Sequence, residues 1–129
     1  MIPTIYSLPP LHDGLLLGMI VKNQEARIFI QTESGSPFTL VLSGVRRFHA
    51  EGFAEGNTIL DCGVSGSPDI PSEFLKQLNH GGTREIELAQ LRDMVADGKY
   101  QFFSIVPSYG ATIVALMEDL VVKPGVVLR

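Results

Sequence analysis

Leu15-Leu16-Leu17-Gly18-Met19-Ile20-Val21-Lys22, then Asn23-Gln24, then Glu25-Ala26-Arg27-Ile28-Phe29-Ile30-Gln31-Thr32: this run, within the stretch from Asp13 to Phe53, decides the fold class. Side chains of an extended chain alternate between two faces. Leu15, Leu17, Met19 and Val21 thus share one side and Leu16, Gly18, Ile20 and Lys22 the other, which predicts a first strand buried over much of both faces. The second run sets Ala26, Ile28, Ile30 and Thr32 against Arg27, Phe29 and Gln31, the pattern of a half-solvated strand. Glu33-Ser34-Gly35-Ser36-Pro37 is a turn cluster, and a third strand follows with Phe38, Leu40 and Leu42 on one face. Such short polar connections favour antiparallel hairpins, because a parallel return needs a crossover of roughly a dozen residues or more.

Outward from this run, Gly44 allows a bend into a fourth strand, with Arg46, Phe48 and Ala50 alternating against Arg47, His49 and Glu51. Glu55-Gly56-Asn57 supplies the turn that ends it, and Thr58 to Val64 reads as a fifth strand. Asp69 and Pro71 suit a helix start, followed by Phe74, Leu75 and Leu78 on one side and a stop at Asn79-His80-Gly81-Gly82. Leu88, Leu91 and Val95 suggest a second helix ending at Gly98; Ile86 and Leu88 also fit a strand, which leaves its start open. Tyr100 to Val106 and Ala111 to Met117 are apolar on both faces, the mark of central or helix-covered strands, and place Ile113 in the core. Leu120-Val121-Val122 extends the last of them, and Lys123-Pro124-Gly125 turns the tail. The resulting expectation is one α+β domain whose mainly antiparallel sheet, a meander of about six or seven strands, carries one or two helices on one face. Residues 1–11 would form an extended arm, 13–64 the meander, 70–97 a helical insertion and 100–122 a hairpin.

With 129 residues, 45% of them hydrophobic and 19% charged, the chain can build a core without disulfide or metal staples. A net charge of −4, with Arg46-Arg47 the only adjacent basic pair, argues against a nucleic-acid partner. Cys62 is alone, which excludes an intramolecular disulfide and suits a reducing compartment. Met1 to Pro10 lacks both the basic and the apolar region of a secretory signal, so a cytoplasmic location is expected. Tyr100 to Met117 carries no formal charge, but Pro107-Ser108-Tyr109-Gly110 in its middle fits two strands around a turn better than a membrane span.

His12-Asp13 could supply a base with its orienter, or metal ligands, but neighbours in an extended chain point apart, which favours a structural turn. Arg47, His49 and Glu51 share a face, either a polar binding surface or the solvated side of an edge strand with cross-strand charge pairing. Tyr109, at a hairpin tip, either contacts a partner or packs back onto the sheet. Asp61-Cys62 and His80 lack metal-ligand spacing, and Cys62 reads as a small buried hydrophobe. Gly63-Val64-Ser65-Gly66-Ser67 misses the nucleophile elbow at its last position, and no phosphate loop or dinucleotide fingerprint occurs. No catalytic residue, cofactor or metal is therefore expected.

The pattern His12-Asp13-Gly14-x-Leu16, two strands, Phe38-x-Leu40-x-Leu42-x-Gly44-Val45 and Glu55-Gly56-Asn57-x-Ile59 resembles small uncharacterised bacterial proteins that open with His-Asp and a β meander. Some of these are similar to immunity proteins of toxin systems. The resemblance spans about the first half of the chain and carries over no catalytic residue. Expected first is a non-enzymatic interaction module whose acidic balance suits a basic partner. The competing class is a small-ligand or enzymatic domain using His12, His49 or Glu51 around a pocket in the curved sheet. A third is a homodimer whose strand edges pair across a two-fold axis.

Overall fold

The computed structural model describes residues 8–128, so most of the extended arm expected over residues 1–11 lies outside the described residues. The elements run β1 (Leu15–Lys22), β2 (Glu25–Gln31), β3 (Pro37–Ser43), β4 (Arg47–Glu51), β5 (Thr58–Ser65), α1 (Ser72–Leu78), α2 (Glu85–Ala96), β6 (Gln101–Tyr109), β7 (Thr112–Met117) and β8 (Asp119–Pro124). Every strand pair is antiparallel, in the order β4-β7-β6-β5-β1-β2-β3-β8. The fold is α+β with a mainly antiparallel sheet, as the alternation of apolar residues predicts. Among the described residues no helix is long and apolar enough to cross a membrane, and the uncharged run from Tyr100 to Met117 folds as β6, a turn and β7.

The two ends of the strand order belong to strands already inside it. β4 continues β3, and β8 continues β7. The ladder from Phe38↔Pro124 to Ser43↔Asp119 resumes from Arg47↔Leu116 to Glu51↔Thr112. Between them the Glu118 N–H donates to the Ser43 carbonyl at 3.0 Å and the Arg46 N–H to the Leu116 carbonyl at 2.8 Å. Gly44 makes the corner: its φ is +60°, and a Cβ there would run into the Glu118 side chain. One long ribbon therefore bends, and the sheet divides into halves β1-β2-β3-β8 and β5-β6-β7-β4 that face one another. Ile28, Ile30, Leu40 and Leu42 from the first half and Phe103, Ile105, Ile113 and Ala115 from the second form one core and are fully buried.

The helices cover the outer face of the second half. Leu75 and Leu78 of α1 and Leu88, Leu91 and Val95 of α2 pack with Phe102, Val114 and Leu116, and the Phe74 and Phe102 rings lie 5.9 Å apart. α1 stops where expected, through left-handed His80 and Gly81, with the Gly81 N–H returning to the Lys76 carbonyl. Ile86 falls inside α2, on its exposed side, which resolves the choice between helix and strand.

Three expectations need correction. The meander expected over residues 13–64 ends at β3: β4 pairs with β7, and β5 with β6 and the start of β1, because the chain bends at Gly44 instead of turning back. Phe29 is buried although its face of β2 reads as half-solvated, because the tail crosses that outer face. Thr39 Oγ1 donates to the Gly125 carbonyl at 2.7 Å and accepts the Val127 N–H at 2.9 Å, and Arg27 Nη1 donates to the Val127 carbonyl at 3.0 Å. Conversely β1, expected to be buried on much of both faces, leaves Leu15, Leu17, Ile20 and Val21 between 37% and 52% exposed. A bulge between Leu16 and Gly18 shifts the alternation, so that Leu16 opposes Ile30 while Met19 opposes Ile28 and Val21 opposes Ala26.

Candidate functional site

Asn23 and Gln24, with φ of 53° and 60°, form the two-residue turn that closes β1 onto β2. In such a hairpin the flanking pair, Lys22 and Glu25, exchanges both backbone hydrogen bonds, as does every second pair beyond it. Met19 and Val21 therefore aim their N–H and C=O groups away from β2. On that side β5 accompanies β1 only at its start, through Leu15↔Thr58, the Leu16 N–H on the Asn57 carbonyl and the Ile59 N–H on the Gly14 carbonyl, each 2.9 Å. From Leu17 to Lys22, no strand among the described residues pairs with this edge. Its outer face presents exposed Leu17 and Ile20, and Ile20 lines a shallow depression with Lys22, Glu25, Arg27 and exposed Leu128. Unpaired apolar edges of this kind template the addition of another strand, and Lys22 is the only charge in β1 that blunts it.

The residues singled out from the sequence fall in three places. His12 and Asp13 are exposed in the turn before β1. Asp13 has φ of 64°, so the two are not neighbours in an extended chain, and their side chains do meet, with Nε2 to Oδ2 at 3.5 Å. His12 Nδ1 donates to the Leu60 carbonyl at 2.8 Å. That carbonyl, followed by the Asp13 carboxylate, raises the imidazole above its ordinary value of 6.5. Any stability from this proton is thus complete below pH 6.5 and fades as pH rises through the folded-state value. An NMR titration should place His12 above 6.5, and Asp13→Asn should lower it only in part, because the larger cause is the untouched Leu60 carbonyl. Full reversion in that variant contradicts the assignment.

Arg47, His49 and Glu51 share one face of β4 as expected, opposite Leu116, Val114 and Thr112. That face is not simply solvated. The His49 side chain is only 27% exposed, and Gln77 of α1 donates to Glu51 Oε1 at 2.6 Å. His49 Nε2 lies 3.3 Å from Glu51 Oε2 but off the hydrogen-bond line, and Arg47 Nε is buried without a hydrogen-bond partner. The set ties α1 to the edge of the sheet, a role the strand pattern could not reveal because it depends on where the helix docks.

Tyr109 is 60% exposed at the end of β6, opposite Thr58. The hairpin tip beside it is held by Asn57, which the sequence offered only as a turn residue. Buried Asn57 Oδ1 accepts the Ala54 N–H at 2.8 Å and the Ala111 N–H at 3.1 Å. Tyr109 and His12 both adjoin the start of β5, whereas Arg47 and His49 lie under α1, so the structure does not gather the candidate residues into one centre. Cys62 packs against the core, and burial, followed by Asp61, pushes its thiol up to about 12, which suits a hydrophobe and not a nucleophile. Among the described residues no three metal-binding side chains cluster. The concave interior, where a pocket was expected, is filled by the fully buried side chains of the core. The chain matches no protein-family model, no curated protein and no solved structure.

Proposed function

We propose that this chain is a protein-interaction module that accepts an extended segment on the free edge of β1. The observation that carries the reading is the unpaired run from Leu17 to Lys22, where outward-aimed backbone groups coincide with exposed apolar side chains. Main-chain hydrogen bonds supply affinity in this mode, and alternate side chains supply selectivity. A binding role also fits the resemblance to small uncharacterised bacterial proteins, some of which are similar to immunity proteins of toxin systems. The pocket reading has less support, because the space between the sheet halves is occupied by Phe103, Ile105 and Ile113.

Native mass spectrometry of the chain, isolated gently from the cells that make it, tests this together with two edge variants. Val21→Pro removes an N–H that the fold does not use, and proline is tolerated on such an edge. Ile20→Lys adds a charge to the outer face. The expected result is a stoichiometric companion chain, of whatever identity, on the wild type and on neither variant, with both variants melting near the wild-type temperature. A companion retained by both variants, or none on the wild type either as gently isolated or when the purified chain is concentrated, overturns the reading.

A further inference from the structure

Resting on that interaction reading, we infer that the segment taken up by β1 is the β1 strand of a second copy, antiparallel across a two-fold axis that passes between the two Ile20 residues. The inference follows from which backbone groups are free. Met19 and Val21 are the residues of the free run that point away from β2, and they stand symmetrically on either side of Ile20. A two-fold axis there sets Met19 of one copy against Val21 of the other, and Val21 against Met19. Each is a pair in which both residues offer N–H and C=O, so both pairs close fully. Ile20 then meets Ile20 in the close, non-hydrogen-bonded position, on the outer face where it is exposed.

Neighbouring registers are excluded by charge and by space. An axis at Met19 sets Lys22 against Leu16, whose open flank is already occupied by β5, the Leu16 N–H bonding the Asn57 carbonyl there. An axis at Val21 brings the two Lys22 ammonium groups within about two residues of each other, roughly 7 Å along the strand. The Ile20 axis separates them by about 13 Å, beyond the Debye length of roughly 8 Å, and sets each Lys22 opposite Gly18. Nothing lies within 4 Å of where a Cβ of Gly18 would sit, which leaves room for the lysine stem. The joined edges carry no acid and no proline that would hinder pairing.

A single strand edge with its flanking side chains buries less than the roughly 1,000 Å² that a stable specific interface should clear, so the dimer is weak and concentration-dependent. The purified chain should sediment as a monomer at about 1 µM and mainly as a dimer at about 500 µM, as a dissociation constant of roughly 50 µM requires. Over that range hydrogen exchange at the Met19 and Val21 amides should slow at least several-fold, whereas Val21→Pro should remain monomeric at every concentration with an unchanged melt. In a Cys62→Ala background, Ile20→Cys should cross-link to itself on mild oxidation, since facing residues in that pair have Cα atoms within disulfide reach, and Leu17→Cys should not. A dimer that survives Val21→Pro, or that cross-links through Leu17→Cys instead of Ile20→Cys, overturns the inference. So does a monomer at about 500 µM with both amides unprotected. If the same edge variants still strip a different companion chain from the cellular protein, only the second copy is wrong. If there is no companion either, the interaction reading falls with it.

Discussion

Ile113→Asp is expected to abolish cooperative unfolding, leaving a chain without dispersed NMR signals at room temperature. Ile113 is fully buried between the sheet halves, and its register neighbours, Ala50 on β4 and Ile105 on β6, are apolar. The substitution forfeits about 3 kcal/mol of side-chain burial. It also places a carboxyl group where no cation can pair with it. Whether that group ionises at high cost or stays protonated without a partner, the penalty is several kcal/mol more. Together these approach the whole stability of an ordinary domain, about 5–15 kcal/mol. Ile113→Val, which removes one methylene, should cost only about 1 kcal/mol and keep a sharp transition. A folded Ile113→Asp protein, melting near the wild type by circular dichroism, would falsify the two-layer core.

Asn57→Ala is expected to be the most damaging change outside the apolar core. One side-chain oxygen serves two backbone donors, from Ala54 and Ala111, and the second of these bonds is buried. Removing the acceptor leaves both N–H groups without a protein partner, at about 1–3 kcal/mol each. The melting temperature should fall by roughly 10 °C for a domain of this size. Gly110 reinforces the site: its φ is +95°, and a Cβ would overlap the Asn57 amide, so Gly110→Ala should destabilise through the same contact. Asn57→Asp keeps an acceptor in place and should lose less. A drop of less than about 2 °C for Asn57→Ala, small on the scale of one lost bond, rules out the staple.

Much of this architecture is readable from local pattern. The alternation of Ala26, Ile28 and Ile30, the helical spacing of Leu88, Leu91 and Val95, and the two-faced apolar runs of β6 and β7 each state their burial directly. What escapes is whatever depends on partners distant in sequence. The bulge between Leu16 and Gly18 shifts the faces of β1, and Gly18, a glycine inside a strand, signals an irregularity without fixing which residue is extruded. The tail over Phe29 is a long-range cover on a strand whose own pattern looks half-solvated. Asn57 reads as a turn residue because its second bond reaches a position 54 residues away. His49 and Glu51 are on one face as read, but the helix above them cannot be placed from the strand alone. The free edge is the extreme case: the exposure of β1 is decided by where β5 parts from it.

The corner at Gly44 also sets a timetable for synthesis. Thr39 and Gly125, which lie together in the finished fold, are 86 positions apart in the chain, and the pairs of β3 with β8, from Phe38↔Pro124 to Ser43↔Asp119, are nearly as distant. The early hairpin of β1 and β2 can form within microseconds of leaving the ribosome, yet β3 has one bare flank until β8 emerges. Contacts of such long sequence separation are slow to close. For most of its synthesis the nascent chain therefore holds out two sticky strand flanks, β1 and β3, of which the mature fold covers one. The newborn protein has a stronger need of chaperone shelter than the finished one.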